Sequence, residues 1–257
     1  MKLIDQHMHC DASFDCNEHY SNYLKKGVKQ IIFTDHFDLN NPISNDEDDI
    51  PDLEKLQRYQ KEAKEINNTE LLIGIEVGYV KERISDILKH LSSYNYDSIV
   101  LSVHHNNKFD FMDPDISTIS NDPIDEYLNL LVDAIKDVDS ANVLAHIDYG
   151  FRIHNISSEQ LNEYKEQIVN ILSNIISKNI ALEINTKSMY KYDNLFIYEF
   201  VIEHYIAMGG KDFTLGSDAH KQEDMFYCFE NAIQLLKSYN VNHIVEFKQG
   251  RKIIKNI

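Results

Sequence analysis

The segment Ser98-Ile99-Val100-Leu101-Ser102-Val103-His104-His105 is a short apolar run, rich in β-branched residues, that ends in two histidines. Runs of the same kind recur along the chain, and between them apolar residues recur every three or four positions, the spacing of amphipathic helices. Strands that alternate with helices in this way indicate an α/β fold with parallel strands joined by helical crossovers. The other runs are Leu3-Ile4, Gln30–Phe33, Leu71–Ile75, Val143–Ala145, Ile180–Leu182 and Phe213–Leu215.

The segments between these runs carry their own signals. Asp122-Pro123 suits a helix N-cap followed by proline at the first helical position, and Ser157–Gln160 has the pattern of a capping box. Asn40–Asp52 is instead polar and acidic, and we expect it to form a loop. A loop of this length is usually a solvated surface excursion, and the alternative is a lid over a site.

Length and composition indicate one folded domain over residues 1–257. The chain is 43% apolar and 26% charged, and it contains only 8 glycines and 4 prolines. An α/β barrel takes roughly 250 residues as a single domain. The 42 acidic and 25 basic residues give a net charge of −17. This balance argues against a nucleic-acid or anionic-membrane binder, because phosphate groups recruit Lys and Arg.

Cysteine usage and the first residues predict a cytoplasmic protein. Cys10, Cys16 and Cys228 are odd in number and form no Cys-x-x-Cys pair, so we expect no disulfide framework. The start, MKLIDQHMHC, lacks the apolar core of a secretory signal. No stretch approaches the roughly 18 apolar residues of a membrane span. These patterns leave the oligomeric state open.

Metal-competent side chains follow every predicted strand. In a parallel barrel the carboxyl ends of the strands open on one face, where such barrels keep their active sites. A single histidine beside a strand is usually a hydrogen-bonded core residue, but such groups at all the strand ends together indicate a shared site. They are His7-Met8-His9, Thr34-Asp35-His36, Glu76, His104-His105, His146-Ile147-Asp148, Glu183-Ile184-Asn185 and Ser217-Asp218-Ala219-His220.

The spacing within these groups decides which side chains can point inward. Residues i and i+2 of a strand share a face, so His7 with His9, and Asp218 with His220, can each direct two ligands to the site. His104 and His105 are neighbours, and we expect one to bind metal and the other to meet substrate or solvent. The remaining histidines are interpreted as structural or surface residues: His19, His90, His154, His204 and His243.

Imidazole and carboxylate ligands without thiolate clusters suit Zn, Mn or Fe. The candidates are too many for one ion, so we expect two or three ions that share a bridging carboxylate. Glu76 stands alone at its strand end and is the expected bridge. Cys10 and Cys16 flank the first motif, but small buried residues are the usual role of such cysteines.

The order of these motifs resembles that of the PHP (polymerase and histidinol phosphatase) family, from His7 to His220. Within it the chain is most similar to the monofunctional histidinol-phosphate phosphatases, through Ser102–His105, Ala145–Tyr149 and Leu182–Thr186. The resemblance implies a distorted TIM-like barrel of seven strand–helix units, (β/α)7, that encloses three metal ions.

The resemblance also implies how the ligands are shared. It assigns the first ion to His7, His9, Glu76 and Asp218, the second to Glu76, His104 and His146, and the third to His36, His220 and Asp15. Many family members have a histidine where Asp15 stands. An aspartate oxygen is harder than imidazole and favours Mn or Fe over Zn. This departure bears on the identity and occupancy of the third ion.

The activity implied is hydrolysis of a phosphate monoester, L-histidinol phosphate to L-histidinol and phosphate, a step of histidine biosynthesis. Bound divalent ions would generate hydroxide near neutral pH, so no side chain is assigned as nucleophile. Arg152 is the candidate phosphate clamp, since a guanidinium can grip two oxygens, and the alternative is a surface arginine on a loop. His105 is a second candidate, Lys187 and Lys191 are not distinguished, and Asn185 contacts substrate or orients a ligand.

Three alternatives stay open. Another PHP phosphatase would act on a nucleotide or sugar phosphate. A metal-dependent amidohydrolase shares His-x-His on its first strand but typically lacks Thr-Asp-His and Ser-x-His-His. A non-catalytic metal-binding module would be expected to have lost ligands, whereas here only Asp15 departs from the common pattern. An acidic rim, which Asn40–Asp52 could supply, would suit the amine and imidazole of histidinol phosphate.

Overall fold

Strands and helices alternate along the chain in the computed structural model, which describes residues 3–25 and 27–257. The strands are β1 (Gln30–Phe33), β2 (His36–Asn41), β3 (Glu47–Asp49), β4 (Glu70–Ile73), β5 (Ile75–Gly78), β6 (Ile99–Ser102), β7 (Val143–Leu144), β8 (Ala181–Asn185), β9 (Phe213–Gly216), β10 (His243–Lys248) and β11 (Arg251–Asn256). The α-helices are α1 (Tyr20–Leu24), α2 (Leu53–Asn67), α3 (Ile84–Leu91), α4 (Ile116–Ile119), α5 (Pro123–Asp137), α6 (Ser158–Glu163), α7 (Lys165–Lys178), α8 (Thr186–Lys191), α9 (Leu195–Ala207) and α10 (Phe229–Ser238). Among the described residues, none of these helices combines the length and the hydropathy needed to cross a bilayer.

The central sheet is mostly parallel, which confirms the predicted α/β class. Its order within the described residues is β3-β2-β5-β6-β7-β8-β9. Only β3 is antiparallel to its neighbour. β1 and β4 pair in parallel immediately before β2 and β5. Backbone pairing continues across the breaks between them, since the Gly74 N–H donates to the Phe33 carbonyl and the Glu76 N–H to the Asp35 carbonyl.

The prediction of a first strand at Leu3-Ile4 is wrong. These residues lie outside the strands, and the segment that follows makes only an isolated bridge, Met8 with Ala219. Side chains and backbone share the bonding here: the Ile4 N–H donates to Glu246, and the Met8 N–H donates to the Thr34 hydroxyl. The Met8 carbonyl accepts from the Thr34 N–H, and the His9 N–H donates to the Ala219 carbonyl. The segment therefore lies between the ends of β1 and β9.

The prediction of a loop over Asn40–Asp52 is also wrong in part. The segment contains the end of β2, a 3-10 turn at Pro42–Ser44, and β3, which pairs with β2 as a hairpin. Asn41 caps the turn by accepting from the Ile43 N–H, and Asn45 adopts a left-handed φ of 56° that reverses the chain. Local side-chain bonds of this kind leave no trace in hydrophobic periodicity.

Both predicted helix starts are confirmed. Asp122 caps α5 through the Asp125 N–H, with Pro123 in the first turn. Ser157 and Gln160 form the reciprocal bonds of a capping box at α6. These caps fix where the helices on the outside of the sheet begin.

An unpredicted C-terminal hairpin fills the region at the amino ends of the strands. β10 and β11 pair antiparallel, and the β10 side chains Val245 and Phe247 form a buried apolar cluster with strand residues that include Val100 and Val143. The Phe247 N–H donates to the Gln6 side-chain oxygen. The carboxyl ends of the strands are left for other side chains.

Candidate metal centre

Glu76 lies at the middle of a buried group of imidazoles. Its backbone pairs with His36 across β2 and β5, which brings these two side chains together. One carboxylate oxygen, Oε2, lies 3.1 Å from both His7 Nε2 and His36 Nδ1. The other, Oε1, lies 3.2 Å from His104 Nε2 and 2.8 Å from His146 Nε2. Four imidazoles from separate segments of the chain therefore converge on one carboxylate, which is 0% exposed.

His9 adds a fifth ring. Its Nε2 lies 3.5 Å from Glu76 Oε2 and 3.8 Å from Asp218 Oδ1. The ring stacks between those of His36 and His220, with centroid distances of 4.3 and 4.2 Å. Both of its nitrogens are buried without a hydrogen-bond partner among the described residues. A buried polar atom without a partner costs stability, so its retention points to a ligand.

Asp15 lies with His220 and His36 at the outer side of the group. Its Oδ2 atom is 2.8 Å from His220 Nε2 and 3.5 Å from His36 Nε2. Histidine and glutamate ligand atoms gather within 4.8 Å of one another in three groups: His7, His9 and Glu76; His36, Glu76 and His104; His9, His36 and His220. This donor set of imidazole and carboxylate fits divalent metal ions.

Two carboxylates that were not assigned from the sequence orient the imidazoles. Glu183 Oε1 lies 2.7 Å from His7 Nδ1, and Asp38 Oδ1 lies 3.0 Å from His104 Nδ1. In both rings the opposite nitrogen faces Glu76. Carboxylates in this position fix the tautomer and the direction of a ligating histidine. Asp38 lies two positions after His36, so strand alternation places it on the same face and could have identified it. Glu183 is the first residue of the Glu183-Ile184-Asn185 motif.

Asn185 belongs to the same support. Its side-chain N–H donates to Glu183 Oε2, and its oxygen accepts from the Ser188 N–H at the start of α8. Of the two roles considered for Asn185, the contacts match orientation of ligands. Glu183 Oε2 also accepts from the His146 N–H at 2.7 Å.

Burial and charge act in opposite directions on these groups. Burial would raise the pKa of Glu76, but His7, His36 and His104 hold it well below its usual value. Burial would lower the pKa of His7, yet Glu183 and Glu76 raise it well above the usual range. For His9, burial and the neighbouring His220 and His36 hold the pKa well below its usual value. Its imidazole is therefore neutral, the form that ligates metals.

A cavity of about 190 Å³ opens beside these ligands. Arg152 lines it and is buried, with 3% of its side chain exposed, so the surface-loop alternative is wrong. Its guanidinium lies between the rings of Tyr149 and Tyr192, 4.9 and 4.7 Å from their centroids. One Nη atom lies 3.7 Å from Asp218 Oδ2.

Lys187 and Lys191 are distinguished by position. Lys187 lines the cavity, with Nζ 3.0 Å from Asp218 Oδ1. Lys191 points elsewhere, and its Nζ lies 2.6 Å from Asp224 Oδ1.

His105 is not among the described residues that line the cavity. It is 1% exposed, and its Nδ1 accepts from the Asn107 N–H. Because neighbouring residues point apart, His104 faces Glu76 and His105 faces away. The expectation that the second histidine meets substrate or solvent is not met, because His105 is buried away from the cavity.

Asp110 is one of four aspartates that line the cavity, with Asp15, Asp38 and Asp218. It accepts from the Tyr149 hydroxyl and from the Met112 N–H. From the Asn40–Asp52 segment, Asn41 and Ile43 line the cavity, whereas Asp48 pairs with Arg83. The acidic rim expected from that segment is thus absent from the described lining residues.

The cysteines and the remaining histidines take ordinary positions. Cys10 Sγ donates to Asp35, and Cys16 Sγ donates to the His220 carbonyl. The ring of His90 stacks on Phe37 with a centroid distance of 4.0 Å. His204 Nδ1 lies 2.7 Å from the Phe200 carbonyl oxygen, one turn earlier in α9.

Comparison with known proteins shows similarity to a protein family and to two of its members. A family model described as PHP domain matches residues 5–187. A probable histidinol-phosphatase of Clostridium acetobutylicum is 27% identical over 250 residues, which cover 94% of this chain and 96% of the relative. A histidinol-phosphatase of Lactococcus lactis is 27% identical over 266 residues, which cover 100% and 98%.

A solved structure shares the fold. It is the crystal structure of histidinol phosphate phosphatase from Lactococcus lactis complexed with zinc, L-histidinol and phosphate. The superposition has a TM-score of 0.85 at 23% identity and covers 98% of this chain and 99% of that one.

Proposed function

The chain belongs to the PHP domain family, and from this premise we propose that it hydrolyses L-histidinol phosphate to L-histidinol and phosphate. The observation that carries the proposal is the buried Glu76 carboxylate, within 3.2 Å of four imidazoles beside an open cavity. The names of both relatives, and the ligands of the structural neighbour, support this substrate.

The metal-binding residues are proposed in three sets. His7, His9, Glu76 and Asp218 would hold one ion, Glu76, His104 and His146 a second, and His36, His220 and Asp15 a third. The short distances among these ligand atoms support the sets. Zn, Mn and Fe all suit these ligands. When bound, clustered divalent ions lower the pKa of water and neutralise charge on phosphoryl oxygens.

The protein's own cations bind the phosphate group. Arg152 is held between two tyrosine rings, so little side-chain freedom is lost when its fork of N–H groups grips two oxygens. Lys187 supplies a second positive charge at the same wall. Asp110, which lines the cavity, is proposed to face the cationic part of the substrate in place of the Asn40–Asp52 segment.

The proposal extends to the shape of the sheet and to the number of domains. We take the sheet to be the wall of a distorted barrel of seven strand–helix units, closed where Met8 bonds to Thr34 on one side and His9 to Ala219 on the other. One apolar cluster extends from Met8 to Ile244, which supports a single domain over residues 1–257. The acidic balance supports a small-molecule substrate rather than nucleic acid or a membrane surface. A cytoplasmic location stays a prediction.

The test is a phosphate-release assay on protein reconstituted separately with Zn, Mn and Fe. Histidinol phosphate, AMP and glucose 6-phosphate are compared. We expect kcat/KM for histidinol phosphate to exceed the other two values by at least about 100-fold. A substrate of the wrong shape leaves buried polar groups of the site unpaired, which weakens its binding in the transition state. Equal or higher values for AMP or the sugar phosphate would move the assignment to another monoester. No release with any metal would favour a non-catalytic metal-binding module.

A further inference from the structure

A second and larger cavity lies at the opposite ends of the strands. It has a volume of about 870 Å³ and is bounded by α2, by the starts of β4 and β6, and by the turn of the C-terminal hairpin. It shares no lining residue with the cavity beside Glu76. The proposed phosphatase reaction makes no use of it.

The charge on this cavity is opposite to that of the chain. Lys61, Lys64, Lys248 and Arg251 all line it. Lys248 pairs with Glu70, at 2.6 Å. For the other three, no ion pair occurs among the described residues, although acidic groups outnumber basic ones 42 to 25. Lys61 and Lys64 stand three positions apart on α2, so they lie on one face and repel each other unless an anion is present.

The remaining acidic group forms no ion pair with these cations among the described residues. Asp97 lines the cavity, but its Oδ2 accepts from the Ile73 N–H and its Oδ1 from the Gln249 N–H. It therefore secures the hairpin turn to β4. Four basic lining residues against Glu70 and Asp97 leave the cavity with a net positive charge.

The other wall is aromatic and apolar. The rings of Tyr94 and Tyr96 meet edge to face at 5.0 Å, and Leu72 and Leu91 line the same wall. The Tyr96 hydroxyl is held by His90, whereas the ring of Tyr94 packs on the core and remains partly exposed at the cavity, where a ligand can contact it. Pockets of roughly 300–1,000 Å³ hold small organic ligands.

We propose that this cavity is a second binding site, for a small phosphorylated ring compound of the nucleotide class. The phosphate lies at Lys61, Lys64 and Arg251, and the ring packs on Tyr94. Nucleic acid is the less suitable occupant, because the net charge of −17 repels a polyanion from the surface around the cavity.

The experiment is a calorimetric titration of the zinc-loaded full chain with the non-hydrolysable phosphonate analogue of AMP. The test variant is Lys61→Gln/Lys64→Gln, and the matched control is Lys165→Gln/Lys237→Gln, which also removes two exposed helical lysines. We expect Kd to rise by about tenfold or more in the test variant, since charge-assisted bonds are lost, and by less than about twofold in the control. Equal affinity in both variants would put binding elsewhere, including the centre at Glu76, and would overturn the proposal, as would no binding to the wild type.

The ring is tested separately. Tyr94→Ala should raise Kd for the same analogue by about tenfold, because stacking of a base on an aromatic ring is lost. Adenosine and inorganic phosphate should each bind more weakly than the analogue. Unchanged affinity in Tyr94→Ala would overturn the assignment of a ring-bearing ligand.

Discussion

The two ends of the central sheet differ in the side chains they bury: the carboxyl ends of the strands (the ligand end) bury imidazoles, and the amino ends (the apolar end) bury aliphatic and aromatic groups. At the carboxyl ends of the strands, His9 and His146 keep buried ring nitrogens without a hydrogen-bond partner among the described residues. At the amino ends, Val245 and Phe247 of the C-terminal hairpin form a buried apolar cluster with the strands. The comparison indicates that the carboxyl ends keep buried ligand groups at a cost in stability, whereas the apolar cluster of the hairpin at the amino ends supplies stability.

The largest expected effect is at the ligand end. Glu76→Gln keeps the volume of the side chain but removes the charge that balances the surrounding imidazoles. We expect metal content to fall and phosphatase kcat/KM to drop by at least about 1,000-fold, since interactions realised in the transition state are lost. Glu246→Gln is the matched buried carboxylate at the other end and should keep both. Wild-type metal content and rate in Glu76→Gln would remove Glu76 from the site.

The apolar end should respond in stability instead. Phe247→Ala should lower the free energy of unfolding by about 3–5 kcal/mol, the usual cost of truncating a buried phenylalanine. Metal content and kcat of the folded protein should not change. Ile254→Ala, on the exposed side of the same hairpin, should cost less than about 0.5 kcal/mol. Denaturant unfolding measures the stability of each variant, and activity assays measure kcat. A loss of kcat in folded Phe247→Ala would contradict the view that the hairpin supplies stability and not catalysis.

Arg152→Lys tests the cavity wall. Lysine keeps the charge but cannot grip two oxygens or fill the space between Tyr149 and Tyr192. KM for the phosphate ester should rise by about 10- to 100-fold, with metal content unchanged. Lys191→Gln, which removes a cation outside the cavity, is the control. An unchanged KM and kcat in Arg152→Lys would show that the phosphate is bound elsewhere.

Glu183→Gln tests the support behind the ligands. The amide still fills the site beside His7 but no longer holds its ring by charge. Metal affinity should fall by about tenfold, at the lower end of what loss of such a partner costs. Competition with a chelator measures this directly. Unchanged metal affinity would limit Glu183 to a structural role.

The smallest effect is a pH dependence at the apolar end. Burial raises the pKa of Glu246 above its usual value of 4.5, so its contribution to stability is present below that pH and is lost as pH rises through the folded-state pKa. Gln cannot ionise. The free energy of unfolding of Glu246→Gln should therefore increase relative to wild type between pH 4 and pH 7. A difference that stays constant or changes in the opposite direction would contradict this account.

The sequence predicted the ligand end better than the apolar end, for a physical reason. Strand runs that stop at His104 or Glu76 place those side chains at one edge, whatever the loops do. Glu183 and Asp38 were not assigned because their role depends on which ring nitrogen each one meets. The C-terminal hairpin lies beyond the last motif, and its docking depends on long-range bonds such as Ile4 to Glu246. His105 was expected to meet substrate or solvent because it adjoins the ligand His104, but the same alternation that turns His104 to Glu76 turns His105 away from the cavity into a buried position.

Anomalous X-ray scattering from crystals of the zinc-loaded protein tests the central claim most directly. The account predicts peaks about 2.0–2.2 Å from the Glu76 carboxylate oxygens, with His7 and His146 as neighbours, and density for phosphate near Arg152 when phosphate is added. Peaks that lie away from Glu76, or no bound zinc at all, would contradict it.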